Sequence, residues 1–305
     1  MIIDSQVHVW RPDAPAHPWP PGARDLPFVH RLDDPLGTGE LVGAMDGAGV
    51  DMAVLVPPSF AGDSNELVRD AVAGLPDRFL AFGRLPLHRP IGVRELAARR
   101  RDFRLTGFRL AFNQDHLRRV LAEGGAGWLW QVCERLDIPV MVLAAGMEDA
   151  LEEVARAHPG LRITLDHLNL GTRRPTVGRL LPDIARLAGL AACPNVSVKA
   201  SALPNYLPPG TDPGELAPAV LAALELFGAD RVFWGSDLSR LCCPYAEWLD
   251  LFRTGLPGLS PAERASLLGD GIARWLGLGE PAAARTGAGP RDTPRETAAE
   301  AGGHA

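Results

Sequence analysis

Four runs in the 305-residue chain end on side chains that could do chemistry. They are Asp4-Ser5-Gln6-Val7-His8, Gly107-Phe108-Arg109, Thr164-Leu165-Asp166-His167 and Phe233-Trp234-Gly235-Ser236-Asp237. In an extended strand alternate side chains share a face, so Gln6 and His8 point the same way. The set offers a carboxylate able to act as a general base, and imidazoles and an amide able to hydrogen-bond a polarised oxygen. It also offers a guanidinium whose fork matches a substrate carboxylate. Each residue has a plainer reading. Asp4 and Asp166 could orient backbone or neighbouring polar groups, and Arg109 could pair with a structural carboxylate.

These runs gain meaning from the elements that carry them. Apolar stretches bounded by Gly, Pro or Asp predict eight strands: Ile2 to Val9, Met52 to Val56, Phe79 to Arg84, Thr106 to Leu110, Pro139 to Ala144, Arg162 to Leu168, Val196 to Ala200 and Val232 to Asp237. Several are continuously apolar, such as Val140-Met141-Val142-Leu143, which suits a parallel sheet covered by helices. Helical spacing follows each strand. It covers Gly39 to Ala48, Leu67 to Val72 after an Asp63-Ser64-Asn65-Glu66 cap, Val93 to Arg101, and Trp128 to Leu136. Glu148 to Ala157, Val177 to Leu187, Gly214 to Phe227 and Pro244 to Arg253 complete the series. Eight alternations predict an α/β fold, a closed (β/α)8 TIM barrel over residues 1–280. No Gly-rich dinucleotide fingerprint opens the first helix. In such barrels the chemistry sits at the C-terminal ends of the strands, where the four runs end.

Two segments depart from that rhythm. Residues 10–38 form a Pro-rich loop after the first strand, expected over the barrel mouth. Within it, Trp19 of His17-Pro18-Trp19 is a candidate for the pocket wall. Residues 281–305 contain no Val, Ile, Leu, Met or aromatic residue, so they cannot offset the entropy of ordering and are expected to be disordered. Apolar residues make up 46% of the chain and charged residues 22%, a globular balance. The net charge of −6 and the lack of a basic stripe argue against a nucleic-acid partner. No apolar run nears the ~20 residues that span a membrane. With no signal peptide and no paired cysteine spacing, a reduced, cytoplasmic protein is expected. Cys242 and Cys243 read as two buried thiols. The base-rate expectation for assembly is a homodimer.

The motifs together resemble the amidohydrolase-related branch of the amidohydrolase superfamily, which includes sugar lactonases and 2-pyrone-4,6-dicarboxylate lactonase. The resemblance is carried by Ile3-Asp4-Ser5-Gln6-Val7-His8-Val9-Trp10, His17-Pro18-Trp19, Leu165-Asp166-His167, Asn195-Val196-Ser197-Val198-Lys199-Ala200-Ser201, Asp230-Arg231-Val232-Phe233-Trp234-Gly235-Ser236-Asp237 and Leu268-Gly269-Asp270. The family's opening motif is His-x-His. Here Gln6 stands at its first position and His8 at its second. The fifth strand, which bears a histidine in metal-dependent members, ends in Leu143-Ala144-Ala145-Gly146. His167 and Asp237 match the sixth- and eighth-strand residues.

The resemblance implies a hydrolase of lactones or related ester-like bonds, with a small polar or carboxylated substrate. Asp237 would activate water, and His8, His167 and Gln6 would polarise the carbonyl. Arg109, Lys199, Tyr206, Trp19 and Arg240 would bind substrate, although Lys199 could equally be structural. Catalytic zinc normally takes three protein ligands. The replacements at Gln6 and Ala145 therefore make a metal-free site the expectation, with a single zinc at His8 and Asp237 as the alternative. Decarboxylation of an aromatic or enoic acid, or a non-hydrolytic dehydration or cyclisation, are the competing reactions.

Overall fold

The computed structural model describes residues 1–25, 34–58, 60, 62–87 and 89–278. Its centre is one eight-stranded parallel sheet in sequential order: β1 (Ile3–Val7), β2 (Met52–Leu55), β3 (Phe79–Gly83), β4 (Gly107–Ala111), β5 (Val140–Leu143), β6 (Ile163–Leu165), β7 (Val196–Ser201) and β8 (Val232–Gly235). The sheet curls until its last strand meets its first, where Asp237 N–H donates to the Gln6 carbonyl at 2.8 Å. The barrel expectation is met, with every predicted strand present.

Alternation along each strand sorts side chains between two environments. Val140, Val142, Ile163, Leu165, Val196 and Val198 face out, into the shell of helices. Ile3, Val54, Phe82, Met141 and Phe233 face in, and Ile272 and Leu276 join them as a floor. On β6 and β7 polar residues take part instead: Thr164 and Ser197 share a buried hydrogen bond of 2.9 Å. β1 carries an irregularity in register between Asp4 and Val7. It separates Asp4, whose carboxylate meets Ser236 and Tyr245, from Gln6, whose amide meets Lys199.

The helical shell is more divided than eight helices. It comprises α1 (Thr38–Ala48), α2 (Glu66–Gly74), α3 (Val93–Asp102), α4 (Asp115–Ala122), α5 (Gly127–Arg135), α6 (Glu148–Ala157), α7 (Leu181–Ala185), α8 (Ala188–Ala191), α9 (Ala217–Phe227), α10 (Tyr245–Asp250), α11 (Pro261–Ala265) and α12 (Gly271–Trp275). The predicted helix over 177–187 is broken: a 3-10 turn at Val177–Arg179 precedes α7, which carries Pro182 in its first turn. α4 and the C-terminal helices α11 and α12 were not predicted. Among the described residues no helix is long and apolar enough to cross a membrane.

Two further departures bear on the site. The sixth strand, predicted to Leu168, ends at Leu165, and the chain turns through His167, Leu168 and Asn169 at φ 54, 51 and 54°. Left-handed backbone costs about 1 kcal/mol per residue. The Asn169 side chain holds the turn, accepting from Ala144 N (2.9 Å) and donating to Ala144 O (3.1 Å). The expected cap of α2 is also different: Asn65 makes no side-chain capping bond, because its amide grips the backbone of Arg84. Residues 26–33 of the long loop and the tail 281–305 lie outside the described residues.

Candidate active site

The inward polar layer is built around a buried cation. Lys199, on β7, is fully buried and donates from Nζ to Gln6 Oε1 (2.6 Å) and Asp166 Oδ1 (2.9 Å), resting against Met141 Sδ. Arg109, on β4, donates from Nε to the other Asp166 oxygen at 2.9 Å. Burial alone would raise the Asp166 pKa, but Lys199 and then Arg109 reverse this and hold it well below the usual carboxylate range. Arg109 thus has a carboxylate partner through Nε, and it also lines a cavity. Lys199 is locked inside the layer.

That lock decides how Gln6 and His8 present themselves. An ammonium only donates, so the amide oxygen of Gln6 must face Lys199. Its Nε2 then points at His8 Nε2, 3.3 Å away. On the far side of the ring, His8 Nδ1 lies 2.7 Å from the Val56 carbonyl, an acceptor only, so Nδ1 carries the proton. Burial lowers the His8 pKa to about 4 despite the opposing pull of Asp237. The resting ring is neutral, and its Nε2 accepts from Gln6. It becomes a donor to a carbonyl only after taking up a proton.

His167 is less constrained. Its Nδ1 lies 2.8 Å from Ser201 Oγ and 3.3 Å from Ser201 O, and a hydroxyl can give or take a proton. Either tautomer is therefore satisfied, and one of them aims an Nε2–H into the site. Burial lowers its pKa to about 4 as well, against Asp237 and Asp166.

Asp237 lies between these groups. Its Oδ1 is 3.4 Å from His8 Nε2; its Oδ2 is 3.6 Å from His167 Nε2 and 3.4 Å from Arg240 Nε. The residue is fully buried and its backbone is left-handed, φ 52°. The preceding residues set this pose. Asp4 accepts from the backbone N–H of Gln6 (3.1 Å) and Ser236 (2.8 Å), from the Ser236 hydroxyl, and from the Tyr245 hydroxyl (2.9 Å). It ties the ends of β1 and β8 together, the orienting role open to it from sequence. Burial raises its pKa to about 6 even against those donors. Gly235 permits the approach, since a Cβ there would meet Ser5 Oγ at 2.5 Å.

Around this centre, Tyr206 stands with its ring centroid 6.3 Å from His167, and the Arg240 guanidinium carbon is 5.9 Å from the same ring. Asn205 fastens the two loops, donating to Arg240 O (2.6 Å) and accepting from Cys242 N (3.0 Å). Trp19 packs on Phe60, centroids 4.9 Å apart, with its indole N–H on Arg11 O, and lines a separate pocket with Trp10, His17 and Pro18. The two adjacent cysteines correct their expectation: Cys242 is exposed and Cys243 half-buried. Sequence reasoning missed Arg84, which follows β3 and lines a cavity of about 320 Å³ together with Arg109. The signal that picked out Arg109, a charged residue at a strand's C-terminal end, was present there too.

Residues 3–278 match the family model described as amidohydrolase. An L-fucono-1,5-lactonase of Burkholderia multivorans is 29% identical across 93% of this chain and 98% of its own. A second L-fucono-1,5-lactonase, from Burkholderia ambifaria, is 38% identical, but over only 33% of this chain and 36% of that protein. A 4-sulfomuconolactone hydrolase of Hydrogenophaga intermedia is 26% identical across 70% of this chain and 67% of its own. In structure, an amidohydrolase of Burkholderia multivorans with bound zinc superposes with a TM-score of 0.76 at 23% identity, covering 91% of this chain and 99% of that one.

Proposed function

The chain belongs to the amidohydrolase family, and on that premise we propose that it hydrolyses a lactone, with Asp237 as the general base. The observation that carries the reading is the buried Asp237 carboxylate set between two neutral imidazoles and a guanidinium. The lactonase and lactone-hydrolase names of the relatives supply the bond.

The reaction adds one water. Asp237 takes a proton from water as its oxygen attacks the lactone carbonyl. The carbonyl π electrons move to oxygen, where the His167 Nε2–H tautomer and the Arg240 guanidinium are placed to meet the growing charge. Collapse breaks the acyl–oxygen bond, and the departing ring oxygen receives the proton held by Asp237. His8 Nε2, beside Asp237 Oδ1, can share that proton and then join His167 as a donor. Gln6, held by Lys199, steadies His8.

The donor set fits a resident metal poorly. At the first position of the opening motif an amide N–H, not a lone pair, faces the site, with a buried ammonium directly behind it. Among the described residues no group of three His, Cys, Asp or Glu side chains is arranged to hold a metal ion. Hydrolysis without a metal is therefore part of the proposal, in contrast to the zinc-bound structural relative.

Turnover of a lactone panel in ¹⁸O-labelled water tests the reaction. One label should enter the carboxylate of the hydroxy-acid product; a product without label would remove hydrolysis. Retained turnover after exhaustive chelation is expected. Loss on chelation with recovery on adding zinc would contradict the metal-free site.

A further inference from the structure

Arg84 holds an arrangement that the hydrolytic chemistry does not use. Asn65 fixes its backbone from both sides, accepting from Arg84 N (2.7 Å) and donating to Arg84 O (3.0 Å). Gly83 makes room for that grip, because a Cβ there would meet Leu105 Cδ1 at 2.4 Å and Asn65 Oδ1 at 3.1 Å. The guanidinium donates from Nε to Gly62 O (2.9 Å), and Asp63 Oδ1 lies 3.6 Å away. Its Nη1 is buried without a hydrogen-bond partner among the described residues. A buried donor on a charged group is costly to leave unmet, so the site favours an acceptor there.

The surroundings say what would meet it. The cavity of about 320 Å³ that Arg84 lines continues past Phe60, Leu85 and Leu87 to Arg109, which joins it to the Asp166–Lys199 layer. The cationic side chains Arg84, Arg109, Lys199 and Arg240 face the carboxylates Asp63, Asp166 and Asp237, with both histidines neutral. Of these cations, Arg84 has the most exposed carboxylate partner. Asp63 is 43% exposed, so water screens its claim on Arg84. Burial, then Arg109, lower the Arg84 pKa to about 10, and the group stays charged at neutral pH. A buried guanidinium nitrogen with no partner among the described residues, beside a carboxylate screened by water, marks a place that attracts an anion.

We propose that Arg84 and Arg109 form a carboxylate subsite, so that the lactone this chain opens carries a carboxylate lying over Phe60, Leu85 and Leu87. The planar fork of a guanidinium matches that group, and the apolar wall suits the carbon ring bearing it. This rests on the lactone reading above and narrows it: a neutral sugar lactone would leave Arg84 Nη1 unmet.

Binding and turnover separate the two ideas. Succinate and its neutral diamide, succinamide, are titrated calorimetrically into the wild type, Arg84→Gln and Arg84→Lys, with circular dichroism as the check on folding. Succinate should bind the wild type and succinamide should not. Loss of a charge-assisted pair should weaken succinate binding about ten- to a hundredfold in Arg84→Gln. Arg84→Lys keeps the charge but loses the fork and should fall between; it serves as the test if the glutamine variant does not fold. In turnover, Arg84→Gln should raise KM about tenfold or more for muconolactone, which carries a carboxylate, and raise it far less for L-fucono-1,5-lactone, which carries none. Equal succinate affinity in the wild type and a folded variant, or equal binding of succinamide, overturns the subsite. Failure to open any lactone, charged or neutral, overturns the hydrolytic reading while the binding result stands by itself.

Discussion

The lower and upper halves of the barrel interior obey opposite rules. Below, Ile3, Val54, Phe82, Met141 and Phe233 fill the interior with hydrocarbon over the floor of Ile272 and Leu276. Above, the inward positions hold Gln6, His8, Arg109, Asp166, His167, Lys199 and Asp237, all almost wholly buried. The lower layer gains from burial, at about 25 cal/mol per Å² of apolar surface. The upper layer must satisfy desolvated charge, and does so by pairing Asp166 with Lys199 and Arg109 across strands and by setting Asp237 beside Arg240 of its own loop. Stability and reactivity are thus separated along one axis by a few residues of rise, and perturbations of the two layers should differ in kind.

The largest effect on stability should come from Lys199→Met. It leaves Asp166 with Arg109 as its remaining cation and frees the Gln6 amide. Removing one member of a buried pair typically costs about 3–5 kcal/mol, read by urea unfolding. Activity should fall as well, because the proton arrangement at His8 depends on Gln6. A variant as stable and as active as the wild type would mean that Lys199 does not organise the layer.

Acid should act on the upper layer alone. His8 and His167 have folded pKa values depressed from 6.5 to about 4 by burial. Their contribution is fully present above pH 6.5 and is lost as pH falls toward 4. Asp4 is raised from 3.8 to about 6, so it returns stability as pH falls through 6. Each shift is worth roughly 3 kcal/mol. Two losses against one gain leave a net loss of about 3 kcal/mol between pH 7 and pH 4. Chemical unfolding at the two pH values measures it, and unchanged or greater stability at pH 4 would refute the neutral, buried histidines.

A smaller effect is expected from Val54→Ala in the lower layer. Loss of two methyl groups there should cost about 2 kcal/mol and leave kcat/KM unchanged. A marked fall in kcat/KM would show that the halves are coupled.

The contrast between the halves also marks how far the sequence could be read. Apolar runs such as Val140-Met141-Val142-Leu143 declared the strands, because two buried faces demand hydrocarbon on both sides. Gln6, His8, His167 and Asp237 were legible from their places at strand ends, and the structure gathers them at one point. The wiring was hidden. Lys199 and Gln6 meet 193 positions apart, and nothing local signals that the amide is turned by an ammonium. Asn65 looked like a helix cap because its local context is that of one, yet its amide is claimed by Arg84 from the neighbouring strand end. The left-handed turn at His167, Leu168 and Asn169 contains no glycine to announce it. It is held by tertiary bonds to Ala144.

Asp237 is the point at which the upper layer either acts as a hydrolytic site or does not. The most direct test is kcat of Asp237→Asn on the best lactone found, with circular dichroism confirming the fold. An amide cannot take the proton from water, so turnover should drop by about 10²–10⁴-fold. Turnover within a few-fold of the wild type, in a folded variant, would contradict the role of Asp237 as general base.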